Sequence, residues 1–177
     1  MYRHGRGFTL LELFVVIAIL SALLFATPSF INTTEKYRQS TRLFELQRLL
    51  QLARGNALNH GRVTTLCGSQ DNVSCSEDWN SPAILVFEDR DGNHRLDPND
   101  RLIYKSDISN SRWHWRGSGR AYLRFRANGT PMEWGRFTLC PSNSKFPYAQ
   151  QLVLNVVGRP YVVQVTRQQL AASGLCT

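Results

Sequence analysis

The 177-residue chain contains no Cys-x-x-Cys pair, no Gly-x-Ser-x-Gly elbow and no glycine-rich phosphate loop. Those gaps remove the common redox, nucleophile-elbow and nucleotide-binding motifs. Four histidines occur, and His4, His60, His94 and His114 stand in unlike contexts without metal-ligand spacing. No internal repeat and no low-complexity linker divides the chain. Acid is scarce in two places: none falls between Ile108 and Met132, and before Glu35 there is only Glu12. The composition reads as a non-enzyme with no cofactor.

Glu12 interrupts an apolar run from Phe8 to Thr27, about twenty residues or roughly 30 Å of helix, which matches the hydrocarbon thickness of a bilayer. A charge inside such a segment costs about 2.5–3.5 kcal/mol on insertion scales, so it requires a partner. Arg3 and Arg6 in the short leader place the N-terminus on the cytoplasmic side and the remainder outside. A secretory signal peptide is the alternative reading. Glu12 would break its apolar core, and no Ala-x-Ala site follows, Ala26-Thr27-Pro28 being a poor substitute.

The stretch Gly7-Phe8-Thr9-Leu10-Leu11-Glu12-Leu13 after a short basic leader resembles the prepilin signature of type IV pilins and type II secretion pseudopilins. The resemblance implies cleavage between Gly7 and Phe8 by a prepilin peptidase, N-methylation of Phe8, and retention of the apolar helix. Glu12 then becomes the fifth residue of the mature chain, where the new amine of a neighbouring subunit's Phe8 neutralises it and sets register. The domains implied are a prepilin leader (residues 1–7), a transmembrane and filament-core helix (8–28), an amphipathic helix (29–60) and a globular β domain (61–177).

Pro28 is expected to kink or end the first helical segment. Beyond it, Leu43, Leu46, Leu50, Ala53 and Ala57 form one apolar stripe opposite Arg42, Glu45, Gln47, Arg48 and Gln51. Gly61 is a natural C-terminal stop. Past Gly61, short alternating runs predict strands at residues 62–67, 83–88, 101–104, 112–116, 121–126, 137–140, 151–156 and 161–165. Gly, Asn and Pro separate them, as in an antiparallel sandwich or meander. Cys67, Cys75, Cys140 and Cys176 allow three disulfide pairings or a metal site. A translocated domain favours disulfides. Cys67–Cys75 and Cys140–Cys176 are the expected pairs, worth about 2.6 and 3.8 kcal/mol by loop closure.

Further stretches narrow the resemblance. Leu52-Ala53-Arg54 with Ala57, Val63–Cys67, Val86–Asn93, Phe125–Thr130 and Leu152–Arg159 follow, in order, the FimT/FimU group, the GspH-type minor pilins. The resemblance implies an α+β type IV pilin fold, with a long N-terminal α-helix packed on an antiparallel β-sandwich-like domain. It also implies a role in initiating pilus assembly, with twitching motility and DNA uptake depending on it. Implied partners are other minor pilins, the major pilin, the prepilin peptidase, the inner membrane and DNA; the implied location is the inner membrane with a periplasmic domain, then the pilus surface. The alternatives are a GspH-type minor pseudopilin of type II secretion and a DNA-binding pilin of natural transformation.

Two constellations invite ligands. Asp89, Asp91, Asn93, Asp97 and Asp100, with the Arg95 carbonyl, have the order of a calcium loop. The sixth position, which needs a sharp turn, is His94 rather than glycine, and the twelfth is Asp100 rather than glutamate; a polar hairpin connection accounts for the same residues. The formal net charge of +8 falls to +6 if the leader is lost. Arg112, Arg116, Arg124 and Arg126 fall in the acid-free stretch, on strand faces opposite Trp113, Trp115, Leu123 and Phe125. Such a face near aromatics suits DNA. A Gly-Arg-x-Arg motif that serves DNA binding in some FimT-like pilins is matched here only by Gly158 and Arg159, Tyr161 replacing the second arginine.

Overall fold

The computed structural model describes residues 9–107, 113–117, 122–140 and 148–174. Two compact units meet in sequence at Tyr37 and Arg38. Helix α1 (Leu10–His60) is followed by β1 (Thr64–Ser69), β2 (Ala83–Glu88), β3 (Arg101–Ser106), β4 (Trp113–Gly117), β5 (Tyr122–Phe125), β6 (Gly135–Leu139), β7 (Tyr148–Leu154), β8 (Pro160–Thr166) and α2 (Arg167–Ala172).

Thr9 starts α1 as its N-cap. Its hydroxyl accepts from the Glu12 amide at 3.3 Å, and its carbonyl accepts from Leu13. Glu12 therefore sits in the first turn, where the helix dipole favours a negative charge. That local role was not legible in the membrane reading. The helix does not end at Pro28: one element runs through it. A single proline removes one backbone bond, and the neighbouring bonds keep the backbone helical. Every large apolar side chain from Leu10 to Leu23 is exposed, Val16 least at 43% and Leu11 most at 74%.

In the second unit the expected stripe is buried: Leu43, Leu46, Leu50, Ala53 and Ala57, joined by Leu49. Gly61, at φ +63°, takes the left-handed conformation that closes the helix. Two antiparallel four-stranded sheets lie beneath α1, in the orders β3-β2-β1-β5 and β4-β6-β7-β8. The core joins the α1 stripe to Leu66, Ile84, Val86, Leu123 and Phe125 of the first sheet and to Phe137, Leu139, Leu152 and Leu154 of the second. Polar bonds fix the helix to both: Ser106 donates to Glu45, and Ser40 pairs with Gln150 at 3.4 Å.

Strands β1 and β2 are buried on both faces. Cys67, Leu85 and Phe87 turn away from α1 into a second small core with Leu96 and Tyr122. The loops after β1 and β2 supply its cover, pairing where Cys75 donates to the His94 carbonyl and Leu96 to the Val73 carbonyl. A Cys67–Cys75 disulfide staples the first of these loops. Cys140 is disulfide-bonded too; its expected partner, Cys176, lies outside the described residues. Trp79, from the same loop, seals the main core, its ring edge-on to Phe137 at 4.6 Å.

Candidate functional site

Four places could carry function, and the structure treats each differently. The first is the N-terminal segment. Gly7 and Phe8 lie outside the described residues, and Glu12 is exposed in the first turn of α1. A helix apolar on all sides is stable only when lipid or other helices surround it. Among the described residues no helix is long and apolar enough to cross a membrane; the span expected over 8–28 takes in Phe8 and side chains that are not described.

The second is the loop after β2. The carboxylates of Asp89, Asp91 and Asp100 approach within 4.8 Å of one another. Each is already engaged by the loop itself. Asp89 accepts from the amides of Gly92 and His94 and from the Thr65 hydroxyl, and Asp91 accepts from Asn93. Asp100 accepts from the amides of Arg90 and Asp97. Asp97 takes the Asn99 amide, with the Asn93 side-chain amide on its other oxygen. His94, the sixth position, adopts φ +60° despite its side chain, and its ring stacks on Tyr122 at 4.0 Å. The bonds describe a hairpin connection tied to β1 through Thr65 and to the loop after β1 through the His94 carbonyl and the Leu96 amide.

The third is the arginine set, which the structure divides. Arg116 lies on β4 of the second sheet, whereas Arg124 lies on β5 of the first. Arg112 is outside the described residues. Arg124 is held by Glu133, a carboxylate only 5% exposed: the backbone amide donates at 2.9 Å, Nε at 3.1 Å, and an Nη completes the fork. That bonding raises the guanidinium's pKa further above its ordinary value. Its face also covers the Tyr122 ring at 5.2 Å. Arg126 donates to the Pro131 carbonyl at 3.1 Å. The acid that binds Arg124 stands one residue past the end of the acid-free stretch, so its proximity in sequence was the available signal.

The fourth is the turn region near Arg159. Gly158 (φ +76°) is tightly enclosed, since a Cβ would stand 3.1 Å from the Gly129 carbonyl and from Pro131, so those neighbours would have to give way. Arg54 of α1 donates to the carbonyls of Gly129 (3.0 Å) and Gly158 (3.2 Å), clamping both turns to the helix. Arg159 is exposed, and its amide donates to Asn155. The backbone around Gly158-Arg159 is thus explained by helix docking. Beside it, a cleft of about 460 Å³ lies between Leu58 and Gln51 of α1 and Pro160.

A polar network also closes the far end of α1. Asn56 donates to Thr64 (2.9 Å) and to Glu88 (3.1 Å), whose carboxylate is buried beside His60 and Arg101.

Helix α1 is exposed from Leu10 to Leu23 and buries a stripe from Leu43 to Ala57 against two antiparallel sheets. A family model described as Type II transport protein GspH matches residues 45–158, and one described as a prokaryotic N-terminal methylation motif matches residues 2–27. The chain belongs to the GspH family of type IV minor pilins and pseudopilins. Its fold is similar to that of the type IV minor pilin FimU of Pseudomonas aeruginosa in two crystal forms. One is 19% identical with a TM-score of 0.56, covering 74% of this chain and 92% of that chain. The other is 20% identical with a TM-score of 0.53, covering 70% and 91%. No curated protein matches.

Proposed function

We propose that this chain is a minor pilin that is cut between Gly7 and Phe8, methylated at Phe8, and built into a type IV pilus whose assembly it helps to initiate. The observation that carries the reading is the uniformly exposed apolar surface of residues 10–23 with one carboxylate, Glu12, at its start. Burial of that surface in a bundle of neighbouring helices supplies the driving force, and the amine of an adjoining Phe8 supplies the charge that Glu12 needs. Before assembly the segment spans the inner membrane, with residues 61–177 in the periplasm. The methylation-motif match over residues 2–27 supports this processing. Pilus-dependent twitching and DNA uptake then follow from assembly rather than from any turnover by this subunit.

The test is a deletion strain complemented with the natural chain or with Glu12→Ala, scored separately for surface pili, exoprotein release and transformation. The reading expects pili to be lost and not restored by the variant. A second reading is favoured by the family's own description, Type II transport protein GspH: the same anatomy would then serve a secretion pseudopilus. Loss of exoprotein release alone would select it.

A further inference from the structure

A second basic feature lies apart from the set considered for DNA. On the face of the second sheet turned away from α1, Arg116 of β4 stands directly across from Arg136 of β6. Both are exposed, and among the described residues neither is paired with a carboxylate. Like charges placed opposite each other on neighbouring strands destabilise a sheet. Here the cost is retained at the mouth of a cleft of about 350 Å³, formed where α2 folds back over β7 and β8.

The cleft is a built one. Its wall includes Gln151, only 5% exposed and fixed by donating to the Thr138 hydroxyl at 3.0 Å. Half-buried Val163 and Val165 form an apolar side. Gln169 of α2 completes it; its carbonyl oxygen accepts from Thr166 in the capping box, which locks the side chain in place. No acidic residue lines the cleft.

We propose that this cleft receives a carboxylate from an acidic segment of an adjoining subunit, with Arg116 and Arg136 as the two binding forks. Guanidinium groups pair with carboxylates through two parallel N–H bonds, and a pair of them in a recess with fixed amides selects a planar anion. Nucleic acid is the poorer fit. No aromatic ring lines the cleft to stack a base, and duplex binding needs many phosphate contacts along an open surface. The identity of the carboxylate's bearer rests on the filament reading; the site itself does not.

The test titrates a terminally blocked, fluorescein-labelled hexaglutamate peptide into the full-length chain in detergent, read by anisotropy, with hexaglutamine as control. Arg116→Gln with Arg136→Gln should weaken hexaglutamate binding about tenfold or more. Arg62→Gln with Arg159→Gln, which removes the same charge elsewhere, should weaken it by less than about threefold. Equal losses in the two double variants, or no hexaglutamate binding, would overturn the proposal. Displacement of the peptide by inorganic phosphate or oligothymidylate at lower concentration than by free hexaglutamate would overturn the carboxylate assignment. Without peptide, the cleft variant should melt no lower than the parent, because a like-charge pair is relieved; a lower melting temperature would make the arginines structural and sink the idea. An unprocessed N-terminus would defeat the filament reading yet leave peptide binding untouched.

Discussion

Breaking the Arg124–Glu133 pair should cost stability without touching any nucleic-acid affinity. Glu133 is buried, and its two oxygens accept three hydrogen bonds, two of them from the guanidinium. Glu133→Gln keeps the shape and an acceptor but removes the charge, which should cost about 1.5–3 kcal/mol, the range for a hydrogen bond to a charged group. Glu133→Ala leaves the half-buried Arg124 uncompensated and the amide unbonded, and should cost about 3–5 kcal/mol. At roughly 2–4 °C per kcal/mol for a chain of this size, the alanine variant melts on the order of 10 °C lower. The assay is thermal unfolding of the detergent-solubilised chain, with Arg124→Ala and the double variant completing a cycle. A coupling of about 1.5 kcal/mol or more, little changed between 0.15 and about 1 M salt, is expected for a recessed pair. A coupling below about 0.5 kcal/mol would refute the reasoning, since the fork would then behave as an ordinary surface pair. Arg124→Ala should also leave oligonucleotide binding unchanged, because Glu133 already occupies the guanidinium.

Asp71 offers a pH signature. Its carboxylate accepts from the amides of Val73 (2.8 Å) and Ser74 (2.7 Å), which holds its pKa well below the usual carboxylate range. A depressed acid stabilises the fold fully above its unfolded pKa, near 3.9, and the contribution is lost as pH falls below that value toward the folded one. Asp71→Asn should therefore flatten the fall of melting temperature on the acid side; parallel acid limbs would contradict this. Gly158→Ala should destabilise more than Gly92→Ala. Both need left-handed backbone, worth about 1–2 kcal/mol, but only at Gly158 would the new methyl meet another turn. Equal losses in urea unfolding would remove the packing argument.

The helix and strands were legible because their periods are local. The spacing of Leu43, Leu46, Leu50, Ala53 and Ala57 specifies the buried face of the helix before any tertiary contact is known; the strand expected over 83–88 has those bounds, but β2 is buried on both faces rather than alternating. The strand order was not legible, since β1 pairs with β5 across more than fifty intervening residues and no local signal encodes that. Trp79 was hidden in a polar loop whose path depends on the Cys67–Cys75 staple. The Arg116–Arg136 pair arises only when β4 is laid against β6. Helix α2 is a single short amphipathic segment, revealed by its Thr166–Gln169 capping box rather than by periodicity.

The central claim is that a carboxylate one turn into an apolar helix is matched by a neighbour's newly made terminus. Mass spectrometry of the mature chain purified from its own cells addresses it most directly. The account predicts an N-terminal peptide that begins at Phe8 and carries one added methyl group. A chain still beginning at Met1, or one beginning beyond the apolar stretch, would contradict it.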